Sequence, residues 1–480
     1  MKRTKIIATI GPACGSKEKI GQLIEAGINV ARINFSHGDH QSNGEFIRNV
    51  KELRQEQNLP IGIMIDLQGP RIRTIVERDV EITEGELIGV FDASQKNSIP
   101  PRQEKILKFI GLDWKDIIKD IKVGNDILIE DGLIRLQVME NNNDYLTAEV
   151  KEGGTVKNHK GVNIPDAQLK IGSLTEKDEE DLKFALEQDA DFIALSFVSE
   201  AKDILKLRQK MEKISGRSEN LPQIVAKIER KEAIKNISEI IKTADAVMVA
   251  RGDLGIEMDE SRVAIYQKEI IALCLRSAKP VIVATQMLNS MIENPRPTRA
   301  EVSDVSNAVI DHADAVMLSG ETAFGKYPIR SVKVMNDIIK KTEGSPFDVL
   351  AHGFLGDKKS SISSAVAHSA HELLKDTDAE AVIAASLSGF TARMVARHRP
   401  EKQIYVMTNN PKTHNQLSLV WGIRSLVLPE CRTLDELIDR SIKSLIENKL
   451  VKIKSNVVIV AGRPGVSKEH MSLVKIEEVD

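Results

Sequence analysis

Cysteine is almost missing from this chain: 480 residues hold only Cys14, Cys274 and Cys431, widely spaced and odd in number. That excludes a disulfide framework and a cysteine-rich zinc site, and it points to a reducing compartment. Aromatic residues are sparse too, with 2 Trp, 4 Tyr and 11 Phe, so no stacking surface for bases or sugars is expected to dominate. No apolar run approaches the roughly 18 residues that a membrane-crossing helix requires. Neither sign of charge is in excess, since 67 Lys and Arg stand against 70 Asp and Glu for a net charge of −3. A general binder of nucleic acid or of anionic membrane would carry a basic surplus. The expectation is a cytoplasmic protein with no nucleic-acid and no membrane partner.

What the sequence does contain is a repeated pattern. Short Val/Ile/Leu/Met-rich runs occur at 6–10, 30–35, 61–67, 192–197, 224–228, 246–250, 281–284 and 315–318. None alternates strictly, which is how a strand buried on both faces reads. Stretches of helical periodicity lie between most of them, and strand–helix alternation implies parallel strands with right-handed crossovers. Eight such units make a (β/α)8 TIM barrel. The runs end in Gly11-Pro12, Arg32 to His37, Asp66-Leu67-Gln68, Ser196-Phe197, Lys227 to Glu229, Arg251-Gly252-Asp253, Thr285-Gln286 and Ser319 to Glu321. In a barrel these ends share the rim where catalytic side chains gather.

At roughly 150 residues per domain the length suggests about three domains, and composition marks their edges. Between 68 and 165 the helical spacing gives way to turn clusters and to a hairpin about Asp131-Gly132, so a small β-barrel-like lid domain is inserted after the third strand. The barrel then occupies 1–67 and 166–344. A turn-rich linker near Gly344 opens a C-terminal open α/β domain, 345–480, of regulatory type.

Three local patterns carry chemistry. Lys227 and Glu229 are separated by one apolar residue, so both leave the strand on one face, and Asp253 ends the next strand. Two carboxylates on adjacent strand ends suit Mg2+, and a lysine beside them suits charge developing on a transferring phosphoryl group or an enolate. Residues 320–326 imitate a P-loop, but Tyr327 replaces the metal-binding hydroxyl and Pro328 follows, which makes the match a decoy. Ser386, Ser388, Gly389 and Thr391 follow a strand and open a helix, a placement that suits a phosphate group.

TKIIATIGP (4–12), NVARINFSHG (29–38), KGVN (160–163), AKIE (226–229), MVARGDLG (248–255), ATQM (284–287), NPRPTRAE (294–301) and LSGET (318–322) together resemble pyruvate kinase over essentially the whole chain. The resemblance implies Mg-dependent phosphoryl transfer from phosphoenolpyruvate to ADP, giving pyruvate and ATP, by a homotetramer. It implies that Lys227 stabilises the phosphoryl group and the enolate, with Arg32, Arg73 and Thr285 as further catalytic residues. Gly252, Asp253 and Thr285 would border the substrate, with Arg32 and Lys227. Asn34, His37, Arg73 and Lys160 would meet the nucleotide. Glu229 and Asp253 would hold Mg2+ or Mn2+, and Asn34, Ser36, Asp66 and Leu67 match a monovalent-cation cluster. The loop of Ser386, Ser388, Gly389 and Thr391 would take a phosphorylated effector.

Two positions depart from the family pattern. Potassium-dependent members carry Thr-Lys-Gly-Pro-Glu after the Asp, where this chain has Leu67-Gln68-Gly69-Pro70-Arg71. A fixed cation at 71 near Asp66 implies that K+ is not required. Phe390 stands where a basic residue is frequent in members that bind fructose 1,6-bisphosphate. A metal-dependent aldolase could use Lys227, Glu229 and Asp253, but it would have no use for Arg73, Lys160 and a lid.

Overall fold

In the computed structural model, which describes residues 2–94, 106–165, 167, 172–350, 355, 361–462 and 470–479, the eight apolar runs form eight parallel strands. These are Lys5–Ile10, Val30–Asn34, Gly62–Asp66, Phe192–Leu195, Gln223–Ile228, Ala246–Ala250, Val281–Ala284 and Ala315–Leu318. They close in sequence order, with the eighth strand pairing onto the first. Ile7, Met64, Phe192, Met248 and Met317 fill the interior, so the barrel is a packed core with no pore. The fourth strand stops at Leu195, two residues before its apolar run ends. Phe197 turns to φ +56, and its N–H donates to a carboxylate on the neighbouring strand end.

The inserted domain leaves after the third strand and closes seven strands into its own barrel around Ile88, Val90, Ile110 and Leu136. The hairpin is present as Asp126–Ile129 and Ile134–Asn141. Glu130, Asp131 and Gly132 between them all have positive φ, as a tight turn matching strand twist requires. One pair in this barrel is parallel, Leu87–Asp92 with Phe109–Leu112. The lid meets the rim through Asn163, whose Nδ2 donates to Glu257 Oε1 at 3.3 Å. Burial of that carboxyl pushes its pKa up to about 7.

The C-terminal domain is a five-stranded sheet in the order Ile423–Val427, Gln403–Thr408, Ala381–Ala385, Asn456–Ala461, Leu473–Glu478, with only the last strand antiparallel. It docks on the floor of the barrel, opposite the rim. Leu419 packs with the barrel interior, and a Cβ on Gly62 would meet Ser418 Oγ at 2.5 Å, so the approach requires glycine there. Lys412 Nζ donates to Asp189 O, Asp189 Oδ1 and Ala190 O at 2.5–2.9 Å, tying the two domains by charge-assisted bonds. Among the described residues no helix is long and apolar enough to cross a membrane.

Candidate active site

Five consecutive strand ends feed one polar cluster at the rim. Lys227 Nζ lies 2.9 Å from Glu229 Oε1 and 3.2 Å from Asp66 Oδ1, and it donates to Ser196 Oγ at 2.8 Å. Ser196 Oγ itself donates to Leu67 O at 2.8 Å, which turns its lone pairs toward the ammonium. Arg32 Nε donates to Asp66 Oδ2 at 2.7 Å and Arg32 Nη1 to Thr9 Oγ1 at 2.8 Å. Asp66, Ser196 and Glu229 are each at most 2% exposed, so these charges meet in a low dielectric where each weighs more than in water.

The electrostatics follow from burial set against neighbours. Burial works against the Lys227 ammonium, but Asp66 and Glu229 outweigh it and the net shift is upward, so Lys227 stays cationic at every working pH. Burial also works against an ionised Asp66, yet Lys227 and Arg32 together bring its pKa down. Glu229 goes the other way. Burial raises it, repulsion from Asp253 adds to that, and Lys227 and the Phe197 N–H only partly offset them. A hard divalent cation between two repelling carboxylates would relieve this, so the donor set fits Mg2+ or Mn2+. Among the described residues no three His, Cys, Asp or Glu side chains converge as a metal cage. An ion held by Glu229 and Asp253 would complete its shell with water and substrate oxygens, as Mg2+ usually does.

The sixth and seventh strand ends supply a second group. Arg251–Glu257 is a short helix starting directly after the sixth strand. Gly252 N–H donates to Thr285 Oγ1 at 2.9 Å, so this amide is already engaged and not open toward the rim. Asp253 lines a cavity of about 720 Å³ together with Gly252, Gln286 and, from the lid, Arg71 and Asp131.

On the side where the nucleotide is expected, His37 lies in the positive field of Arg32, Arg73 and Arg71. Burial lowers the imidazole pKa, and the three guanidiniums lower it further. Arg73 Nη1 donates to His159 O at 3.2 Å, and its backbone N–H to Asp113 Oδ1 at 2.6 Å. Lys160 pairs with Glu130 on the lid hairpin. Asn34 Oδ1 accepts from Ser36 N at 3.2 Å, within its own turn. Arg71 differs from expectation. Its Nη2 faces Asp131 Oδ1 at 3.6 Å and its guanidinium lies against Gly161, while Asp66 takes its cationic partners from Arg32 and Lys227.

The C-terminal loop stands in a separate domain. Gly389 takes φ +78, Ser386 and Thr391 are buried, and Thr413 Oγ1 donates to Leu387 O at 2.7 Å. The decoy P-loop has a plain structural use. Glu321 is 2% exposed and its carboxylate accepts from Ser319 N at 2.7 Å and Leu288 N at 3.0 Å, stapling the last two strand ends together. Sequence reasoning singled out Ser196 and Arg251 only as strand endings and missed Thr9 and Asp304. Thr9 sits inside an apolar run and Asp304 inside an ordinary helix, so neither carries a local signal.

The family model described as "Pyruvate kinase, barrel domain" matches residues 1–332, and that described as "Pyruvate kinase, alpha/beta domain" matches 364–477. The pyruvate kinase of Geobacillus stearothermophilus is 40% identical over 100% of this chain and 80% of its own length. That of Clostridium perfringens is 38% identical over the full length of both chains. A crystal structure of a pyruvate kinase from Cryptosporidium parvum superposes with a TM-score of 0.91 at 33% identity, covering 100% of this chain and 96% of the other. Likeness that extends through barrel, lid and C-terminal domain alike leaves one conclusion: this chain belongs to the pyruvate kinase family.

Proposed function

We propose that the rim carries out transfer of phosphoryl from phosphoenolpyruvate to ADP with Lys227 at its centre. The observation that carries this reading is a buried ammonium kept cationic by Asp66 and Glu229 beside the Arg32 guanidinium. Phosphoryl transfer asks for positioning and charge neutralisation more than for covalent catalysis. Arg32 and Arg73 hold the phosphoryl oxygens, and His37, Asn34, Arg73 and Lys160 face the nucleotide. The enol O–P bond breaks as an ADP oxygen bonds to phosphorus, and Lys227 neutralises charge on both the phosphoryl group and the enolate oxygen. Gly252, Asp253 and Thr285 border the substrate, and the Thr285 hydroxyl, through water, relays a proton drawn from solvent to the enolate carbon, giving pyruvate and leaving the hydroxyl unchanged. Following pyruvate release with and without ADP tests the whole reading: release must require ADP, and ADP-independent release would favour the aldolase.

Glu229 and Asp253 are the proposed ligands of Mg2+ or Mn2+, which supplies positive charge to the phosphoryl oxygens when bound. Asp253→Asn is expected to raise the Mg2+ concentration giving half-maximal rate, because a neutral amide is a poorer ligand for a hard cation. An unchanged titration would place the metal elsewhere.

K+ is proposed to be dispensable. Asp66 already has two cationic partners, and Arg71 adds fixed positive charge on the lid side that reaches His37. Near-full activity is expected with only a bulky organic cation present. A rate that rises more than about tenfold on adding K+, about 1.4 kcal/mol, would overturn this. The loop containing Ser386, Ser388, Gly389 and Thr391 is proposed to bind a phosphorylated effector, which titration of sugar phosphates and AMP against phosphoenolpyruvate saturation would reveal. A homotetramer in the cytoplasm completes the proposal.

A further inference from the structure

Thr285 is held in a conformation its side chain disfavours. Its φ is +67, followed by +55 at Gln286, and a β-branched residue adopts this region only where its surroundings over-determine it. Two bonds do so. The Thr285 hydroxyl accepts from Gly252 N–H at 2.9 Å, and the Thr285 carbonyl accepts from Arg251 Nη2 at 2.8 Å. Because the hydroxyl accepts there, its own proton remains for a partner in the rim.

The aim of Arg251 depends in turn on Asp304. Arg251 Nη1 pairs with Asp304 Oδ1 at 2.7 Å, and the Arg251 side chain is only 12% exposed. Asp304 lies on the helix Arg299–Ile310, whose start is fixed by the reciprocal Thr298–Glu301 cap. Glu301 also accepts from Ser290 N at 2.7 Å, so the helix is anchored to the segment that follows Thr285 itself. A rigid element thus presents one carboxylate to one guanidinium, and the guanidinium reaches the strained carbonyl.

We propose that Asp304 is a positioning residue for the protonation step: through Arg251 it fixes the Thr285 backbone and so aims the Thr285 hydroxyl at the water that protonates the enolate carbon. This rests on the proton-delivery role given to Thr285 above. Asp304 stands on the wall of the cavity that Gly252 and Asp253 also line, with its carboxylate paired to Arg251. Without its charge the Arg251 fork keeps only a neutral acceptor at 304 and Met287 Sδ, and its hold on the Thr285 carbonyl loosens. Thr285 then relaxes toward ordinary φ, and its hydroxyl swings away from the line of proton transfer.

The reverse of that step can be observed alone, as exchange of pyruvate methyl hydrogens with deuterated water in the presence of Mg2+ and ATP. Asp304→Asn, which keeps the side-chain shape, is expected to slow exchange and to lower kcat by about tenfold, with the KM for phosphoenolpyruvate within about twofold. Asp304→Glu should recover most of the loss. Arg251→Lys, which keeps the charge but cannot bridge Asp304 and the Thr285 carbonyl, should reproduce the Asp304→Asn signature and serves if that variant does not fold. Exchange at the wild-type rate in Asp304→Asn, or a KM that rises in step with the loss of exchange, would overturn the proposal. Thr285→Val separates the two levels of the argument. Slow exchange in Thr285→Val with normal exchange in Asp304→Asn defeats only the role of Asp304, whereas normal exchange in Thr285→Val defeats the role of Thr285 and this inference with it.

Discussion

Replacing Lys227 with Met is expected to lower kcat by about a thousandfold or more, on the order of 4 kcal/mol of transition-state stabilisation, while the chain still folds. Met approximates the length and apolar stem of Lys, so packing between the fourth and fifth strands is kept. The carboxylates left behind are not stranded. Asp66 retains Arg32 at 2.7 Å, and Glu229 retains the Phe197 N–H at 2.7 Å and its proposed metal. The phosphate grip proposed for Arg32 and Arg73 does not pass through Lys227, so the KM for phosphoenolpyruvate should move far less than kcat. That split is what loss of a group acting on transition-state charge produces, as opposed to loss of uniform binding. Steady-state kinetics on purified variant and parent decide it. A kcat within tenfold of the parent would remove Lys227 from the centre of the site.

The parts of the molecule that were legible in the sequence are those where one physical constraint dominates. Barrel strands are buried on both faces, so 246–250, 281–284 and 315–318 coincide with the strands observed. The two edge strands of the C-terminal sheet went unread. Ile423–Val427 is half-exposed, and Leu473–Glu478 is charged at half of its positions, which is how edges avoid pairing with other chains. The parallel pair inside the lid was missed because nothing local distinguishes it from a hairpin. At the site, residues that end strands were found because the barrel rule collects them on one rim. What the sequence could not supply was the direction of long side chains. Arg71 reads as a neighbour of Asp66 five positions away, but the lid hairpin turn carries Asp131 to it and lid strands pack against its guanidinium. Ser196 reads as a strand ending, and only the folded chain gives it Lys227 and the Leu67 carbonyl as partners.

Asp314→Ala is expected to do the opposite of Lys227→Met, with a large loss of stability and little loss of kcat. Asp314 precedes the eighth strand on the floor of the barrel and is 4% exposed. Its Oδ2 accepts from Arg399 Nη2 at 2.9 Å and from Val281 N at 3.1 Å, while Oδ1 accepts from Trp421 N at 3.0 Å. One carboxylate therefore joins two barrel strands to the C-terminal domain. Arg399 is 8% exposed and lies over the Trp421 ring at 5.0 Å, with Arg3 over the same ring at 5.2 Å. Once the carboxylate is gone, the Arg399 guanidinium keeps the carbonyls of His312 and Ala396 and the Trp421 ring but no anionic partner at 314. A buried charge without its partner costs about 3–5 kcal/mol, and two orphaned amide donors add to that. Urea unfolding should show the loss as a lower midpoint. Asp314→Asn should fall between, because an amide oxygen still accepts from Trp421 N but carries no charge for Arg399. Below the transition kcat should remain within about twofold of the parent, because barrels place stability at this end and chemistry at the other. A midpoint that does not move would mean that Lys412 and Leu419 hold the domains together without Asp314. A large fall in kcat in the folded variant would mean that the floor and the rim are coupled.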